Sequence, residues 1–171
     1  MSVFGYQNTV NSSVTRSGIG LHTARLVSIT LRPAPANTGI IFHRSDLTGI
    51  DTAIPAHIYN VSDVSLNTSI CNADGAEIGT IEHLMAAFAG MGIDNAYVDV
   101  SGPELPAFDG SSDRYCQMIS DAGIKEQSED RRFIKVLKPV SVKFNASSSH
   151  LTPSSSLQIS TKIDFSDPFI G

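Results

Sequence analysis

The chain has 171 residues, and its 12 Lys and Arg against 17 Asp and Glu leave a formal net charge of −5. With 41% hydrophobic and 17% charged residues the composition is that of a globular protein and excludes a disordered one. An acidic balance without a dense basic run argues against general nucleic-acid binding, and the length suits one domain or one domain and part of another.

Taken in chain order, Met1 to Asn11 is polar and lacks the apolar run of a signal peptide. Val27, Ile29 and Leu31 alternate with Ser28, Thr30 and Arg32, which predicts a half-buried strand. Pro33 and Pro35 are expected to stop it. Ile40, Ile41 and Phe42 read as another short strand. Leu66 to Cys71 and Glu77 to Gly79 flank Asn72-Ala73-Asp74-Gly75, which has the chemistry of a hairpin turn.

The period then changes. Thr80 is expected as an N-cap, with Ile81, Leu84, Met85 and Phe88 on one face of a helix that Gly90 and Gly92 end. The longest apolar stretch, around Leu84 to Met91, is too short to span a bilayer. Ala96, Val98 and Val100 alternate as a strand. A proline-marked loop over Ser101 to Gly110 leads to a second helix, capped by Ser111 or Ser112, with Tyr115, Met118 and Ile119 inward and Gly123 beyond its end.

Lys125 to Arg132 is polar and charged, and residues 126–131 are expected to be a linker. Beyond it, Phe133 to Leu137, Val140 to Phe144 and Leu157 to Phe165 read as strands, with the serine-rich Ser147 to Ser156 as a connection. The expected fold is therefore α+β. Residues 1–125 form a two-layer sandwich of a β-sheet and two helices. Residues 132–171 form an incomplete second domain of strands, because three strands alone do not cover both faces of a sheet. Cys71 and Cys116 form no C-x-x-C pair and read as reduced thiols of a cytoplasmic protein.

The best site candidate is Glu82-His83, in the first turn of the first helix. An imidazole is a good zinc ligand, and a neighbouring carboxylate can take a proton from a bound water. An ordinary alternative is a Glu that complements the helix dipole beside a locally bonded His. No H-x-x-x-H or H-x-x-x-D accompanies the pair. His22 lies in a tight glycine turn, where it approaches a substrate or only braces the turn. His43 and His57 sit in or beside strands, His150 lies in the serine-rich segment, and Asp109 could cap the second helix.

Several segments are similar to one known family. They are Ser17-Gly-Ile-Gly-Leu-His-Thr23, Leu31-Arg-Pro-Ala-Pro-Ala-Asn-Thr-Gly39, Thr80-Ile-Glu-His-Leu-Met-Ala-Ala-Phe-Ala-Gly-Met-Gly-Ile-Asp-Asn95 and Pro103-Glu-Leu-Pro-Ala-Phe-Asp-Gly-Ser111. In this order they resemble the UDP-3-O-acyl-N-acetylglucosamine deacetylases. The resemblance runs from about Val10 to Gly171 and includes Lys162-Ile-Asp-Phe-Ser-Asp-Pro-Phe-Ile-Gly171, similar to an early strand and loop of that family's second domain.

The resemblance implies a Zn2+-dependent cytoplasmic enzyme that removes the N-acetyl group of UDP-3-O-acyl-N-acetylglucosamine on the way to lipid A. It implies two similar domains packed helix layer to helix layer. Carried over, Glu82 is the general base and His83 a zinc ligand. Leu66, Asn67 and Thr68 border the substrate, His22 is important without binding metal, and Asp109 has a structural or supporting role. The family's other zinc ligands come from an H-K-x-x-D motif, which is absent from these 171 residues. These residues alone are therefore expected to be inactive. The face carrying Leu84, Phe88 and Met118 is expected to be uncovered, favouring self-association. The alternatives are a non-catalytic relative acting as a binding module, or a half-enzyme completed by a second chain.

Overall fold

The computed structural model describes residues 5–165, 167 and 169. These divide into two units, residues 1–131 and 132–171. The first holds ten strands and two helices. The strands are β1 (Tyr6–Val10), β2 (Val14–Ile19), β3 (Leu26–Pro33), β4 (Ile40–Arg44), β5 (Ala53–Pro55), β6 (Val61–Asp63), β7 (Ser69–Cys71), β8 (Glu77–Ile78), β9 (Ala96–Val100) and β10 (Ile124–Asp130). The helices are α1 (Glu82–Met91) and α2 (Asp113–Ala122).

The main sheet has five strands in the order β2-β3-β9-β4-β5. Its β4–β9 pair is parallel and the others antiparallel. Period-two alternation decides its faces. Val27, Ile29, Leu31, Phe42, Val98 and Val100 are fully buried on one face and share a single cluster with Leu84 and Phe88 of α1 and Met118 and Ile119 of α2. The opposite face is polar. There Thr15 and Thr30 hydroxyls meet at 2.8 Å, as do those of Ser17 and Ser28, and Arg32 pairs with Asp99 while lying over the Tyr97 ring. Together these make the expected α+β layering of a sheet against two helices.

The helix layer differs from the expectation. The face with Leu84, Phe88 and Met118 is not uncovered, because those side chains are 0%, 1% and 1% exposed within the unit itself. A helix of ten residues has one apolar stripe, and the sheet's apolar face already occupies it. It therefore offers no surface for self-association.

A second, three-stranded sheet, β6-β7-β8, carries the predicted hairpin. Its turn is closed by the Asn72 carboxamide oxygen, which accepts the N–H groups of Asp74 and Ala76.

The polar segment expected as a linker is instead β10, antiparallel to β1. Gln127 explains why a charged strand stays in place. Its side chain accepts from the Asn95 amide at 2.8 Å and donates to the Ala34 carbonyl at 2.9 Å. Arg131 closes the end, pairing with Asp94 and donating to the Gly92 carbonyl.

The second unit is simpler. Its strands β11 (Val140–Phe144) and β12 (Ser147–Leu151) form a hairpin, with Asn145 at φ +51° in the two-residue connection. The serine-rich run expected as a connection is thus partly a strand. Residues 133–137 and 157–165, expected as strands, are not paired in any ladder. Of the segment Lys162 to Gly171, residues 166, 168, 170 and 171 lie outside the described residues. Among the described residues no helix is long and apolar enough to cross a membrane, and both cysteines are free.

Candidate functional site

The site is built where the small sheet hands the chain to α1. The expected Thr80 cap does not form. Ile81 occupies the cap position without a side-chain bond, and Thr80 is held at φ +58°. For a β-branched residue this conformation costs on the order of 1–3 kcal/mol and persists only where surroundings impose it. Two neighbours do so. The Thr80 hydroxyl donates to Glu104 Oε1 at 3.1 Å and accepts from the Asn67 amide at 3.1 Å. Its proton goes to the carboxylate and its acceptor role to Asn67, so the hydroxyl faces away from the helix N–H groups.

Glu82 and His83 follow as the first residues of α1, both half-buried. Glu82 is oriented from across the turn, since its Oε2 accepts the Thr68 N–H at 3.1 Å. The Thr68 carbonyl in turn accepts the Ile81 N–H at 3.2 Å. Residues 66–68 and 80–82 are therefore bound to each other in both directions. Leu66 stands outward beside them, 92% exposed and at φ +66°. The His83 ring makes no hydrogen bond among the described residues, so its nitrogens are open to a ligand.

His22 is exposed, in the turn between β2 and β3. Its backbone N–H donates to both oxygens of Glu104. Thr23 adds its N–H at 2.8 Å and its hydroxyl at 2.7 Å. Glu104 is 2% exposed and accepts all of these. Burial alone would push its pKa up, but bonds from the His22 N–H, the Thr23 hydroxyl and N–H and the Thr80 hydroxyl outweigh it and hold it below the ordinary carboxylate value.

Close packing leaves no side-chain room beside this carboxylate or beside the Asn67–Ser69 segment. A Cβ on Gly20 would lie 2.5 Å from Glu104 Oε2, and one on Gly79 would lie 3.0 Å from the Ser69 hydroxyl. The chain also passes from Gly79 to the Glu104 loop by two backbone bonds, Gly79 N–H to the Pro103 carbonyl and Leu105 N–H to the Gly79 carbonyl.

Asp109 serves the start of α2, through Ser111 rather than as a direct cap. Its Oδ1 accepts the Ser111 N–H and hydroxyl, and Ser111 then accepts the Asp113 N–H at the start of α2. Asp109 thus anchors the residue that receives the helix, and no hydrogen bond or ion pair joins it to Glu82, His83 or His22. The Ser111 bonds hold its pKa below the ordinary value. It also lines a cleft of about 420 Å³ with Arg16, Phe108, Arg114 and Gln117, apart from Glu82 and His83. Under it, the buried Tyr115 hydroxyl donates to the Pro106 carbonyl at 2.6 Å.

The geometry thus gathers Glu82, Asn67 and Thr68, places His83 beside them, and links His22 to them through Glu104. It leaves Asp109 out. Sequence reasoning missed Glu104, whose only signal was an acid set between Pro103 and Pro106 in a loop. Among the described residues no three His, Cys, Asp or Glu side chains come together as a metal-holding group.

A mixed α+β domain with a fixed carboxylate and a free imidazole at one helix start has the components of a hydrolase. The family profile of UDP-3-O-acyl N-acetylglycosamine deacetylase matches residues 7–171, and the chain belongs to that family. The UDP-3-O-acyl-N-acetylglucosamine deacetylase of Acidithiobacillus ferrooxidans is 46% identical over 163 residues, covering 95% of this chain and 53% of that protein. The proteins of the same name from a Geobacter species and from Shewanella oneidensis are 44% and 41% identical, each covering 96% of this chain and 53% and 54% of their own length. The chain therefore spans about half the length of the curated relatives it matches.

Proposed function

We propose that this chain supplies the base-carrying half of a deacetylase that hydrolyses the N-acetyl group of UDP-3-O-acyl-N-acetylglucosamine in cytoplasmic lipid A synthesis. The observation that carries the reading is Glu82, a carboxylate fixed by the Thr68 N–H at the start of α1 and set beside an unbonded His83 ring, in a chain of this family. Glu82 takes the proton of the attacking water, a role worth about 10²–10⁴-fold in rate. The new bond joins that water's oxygen to the acetyl carbon, and the amide C–N bond breaks as the proton held by Glu82 passes to the leaving nitrogen, giving acetate and the amine. Leu66, Asn67 and Thr68 border the sugar, and His22 lies at the far side of the same network.

The family implies zinc, and the donor set here does not suffice for it. A catalytic zinc needs three protein ligands, and the described residues bring together no such group. His83 is one donor, too few to hold the ion by itself. We propose that the remaining donors belong to the part of the relatives that this chain does not span.

The test mixes the 171-residue chain with a polypeptide corresponding to the uncovered half of the Acidithiobacillus protein, with zinc and substrate. Deacetylation is expected from the mixture, not from either part, and Glu82→Gln is expected to reduce it at least 100-fold. Turnover by the 171 residues alone would overturn the incomplete-donor reading. Turnover indifferent to Glu82→Gln would remove the base.

A further inference from the structure

We infer that Glu104 is a positioning residue, one buried carboxylate that sets the His22 turn and the Glu82 segment in a common frame. The inference rests on the proposed function, since it concerns how that site's parts are aligned.

Two stretches distant in sequence converge on this side chain, and a third stands behind them. From the turn between β2 and β3 come the His22 and Thr23 N–H groups and the Thr23 hydroxyl. From the approach to α1 comes the Thr80 hydroxyl. Behind Thr80 stands Asn67, which donates to the same hydroxyl and accepts from Ser69 through its carboxamide oxygen. Its neighbour Thr68 then orients Glu82. The path from His22 to Glu82 thus runs through Glu104, Thr80 and residues 67–68, and each link is a hydrogen bond or a peptide unit.

The charge on Glu104 matters to this path. An ionised carboxylate offers only acceptor sites, and every group facing it is a donor. The first bond in such a chain polarises the next, so a charged acceptor at its head strengthens the Asn67–Thr80 bond beyond it. The same network holds Thr80 at φ +58°, directly before Ile81 and Glu82. Removing the carboxylate allows that residue to relax, and the first turn of α1 relaxes with it. The small space at Gly20, where a Cβ would meet Glu104, shows that the turn is pressed against the carboxylate.

The test is amide hydrogen exchange of the 15N-labelled chain, read by NMR without zinc or substrate. Glu104→Gln places an NH2 group against these donors. It is expected to speed exchange of the His22, Thr23 and Thr68 amides at least tenfold more than it speeds that of the β3–β9 amides, which report global stability. Thr80→Val cuts the path in the middle. It is expected to free the Thr68 amide and leave His22 and Thr23 protected, whereas Thr80→Ser keeps the hydroxyl and restores Thr68 protection. Thr68 protection that survives both Glu104→Gln and Thr80→Val overturns the inference. So does a uniform loss of protection that includes β3–β9, which would make Glu104 an ordinary stabilising residue. None of these readouts involves metal or turnover, so failure of the proposed chemistry shows separately, in the mixing experiment.

Discussion

Strands β3 and β11 carry the same kind of sequence and meet different fates. Val27, Ile29 and Leu31 alternate with polar residues, as do Val140, Val142 and Phe144. The first set is at most 1% exposed, under two helices. The second is 47%, 63% and 75% exposed on a two-stranded hairpin. Alternation therefore states that a strand has an apolar face. It does not state what covers that face, which depends on elements far away in sequence.

The sharpest way to break this comparison is to truncate one aromatic in each unit. Phe88→Ala removes a fully buried ring and is expected to cost the first unit about 3–5 kcal/mol in chemical denaturation. Phe144→Ala, in the second unit, is expected to change stability by no more than about 0.5 kcal/mol. Equal losses would mean that the two hydrophobic faces are covered alike.

A smaller loss, about 1–3 kcal/mol, is expected from Gly20→Ala, because a Cβ there would press on Glu104 and the Thr23 hydroxyl. Thermal melts monitored by circular dichroism measure it. The same carboxylate gives a pH-dependent counterpart. The Glu104 pKa is lowered from 4.5 on folding, so its contribution is complete above that value and is lost as pH falls through the lower folded value. Glu104→Gln is therefore expected to be less stable than the wild type by about 1–3 kcal/mol at pH 7. Denaturation at a series of pH values should show the gap closing below pH 4.5. A gap that widens in acid would contradict the sign.

The smallest effect belongs to the wet face of the main sheet. Arg32 and Asp99 are 41% and 26% exposed in their side chains, and their pair is worth about 0.2–1 kcal/mol. Arg32→Ala is expected to fall in that range in dilute buffer and to shrink further with added salt. A larger, salt-insensitive loss would show that Arg32 packs on Tyr97 more than it pairs.

The elements that could be read from sequence were those whose cause is local. The period of two located β3 and β9, the apolar run Ile40 to Phe42 located β4, the 3.6 period located α1 and α2, and Asn72 to Gly75 located the hairpin turn. Elements with non-local causes escaped. Residues 124–130 look like solvated charge because what makes them a strand is β1 and the partners of Gln127, both far away. Ser147 to Leu151 pairs through its backbone, which serines do not advertise. At the site, Glu82 and His83 were legible as a pair of residue types at a helix start. Thr80 was misread as a cap because its hydroxyl serves Glu104, and Glu104 itself is meaningful only once the chain has brought the β2–β3 turn to it.

The pairing of β1 with β10 also bears on how the domain is made. Val10 lies opposite Ile124, so β1 leaves the ribosome well before the strand it pairs with. At 5–20 residues per second that wait is on the order of ten seconds. Throughout it Val10, which ends fully buried, lacks its β10 neighbour. Closure of the first unit is thus timed by translation, and a pause before Asp130 prolongs the interval in which its opening segment stands exposed to chaperones and proteases.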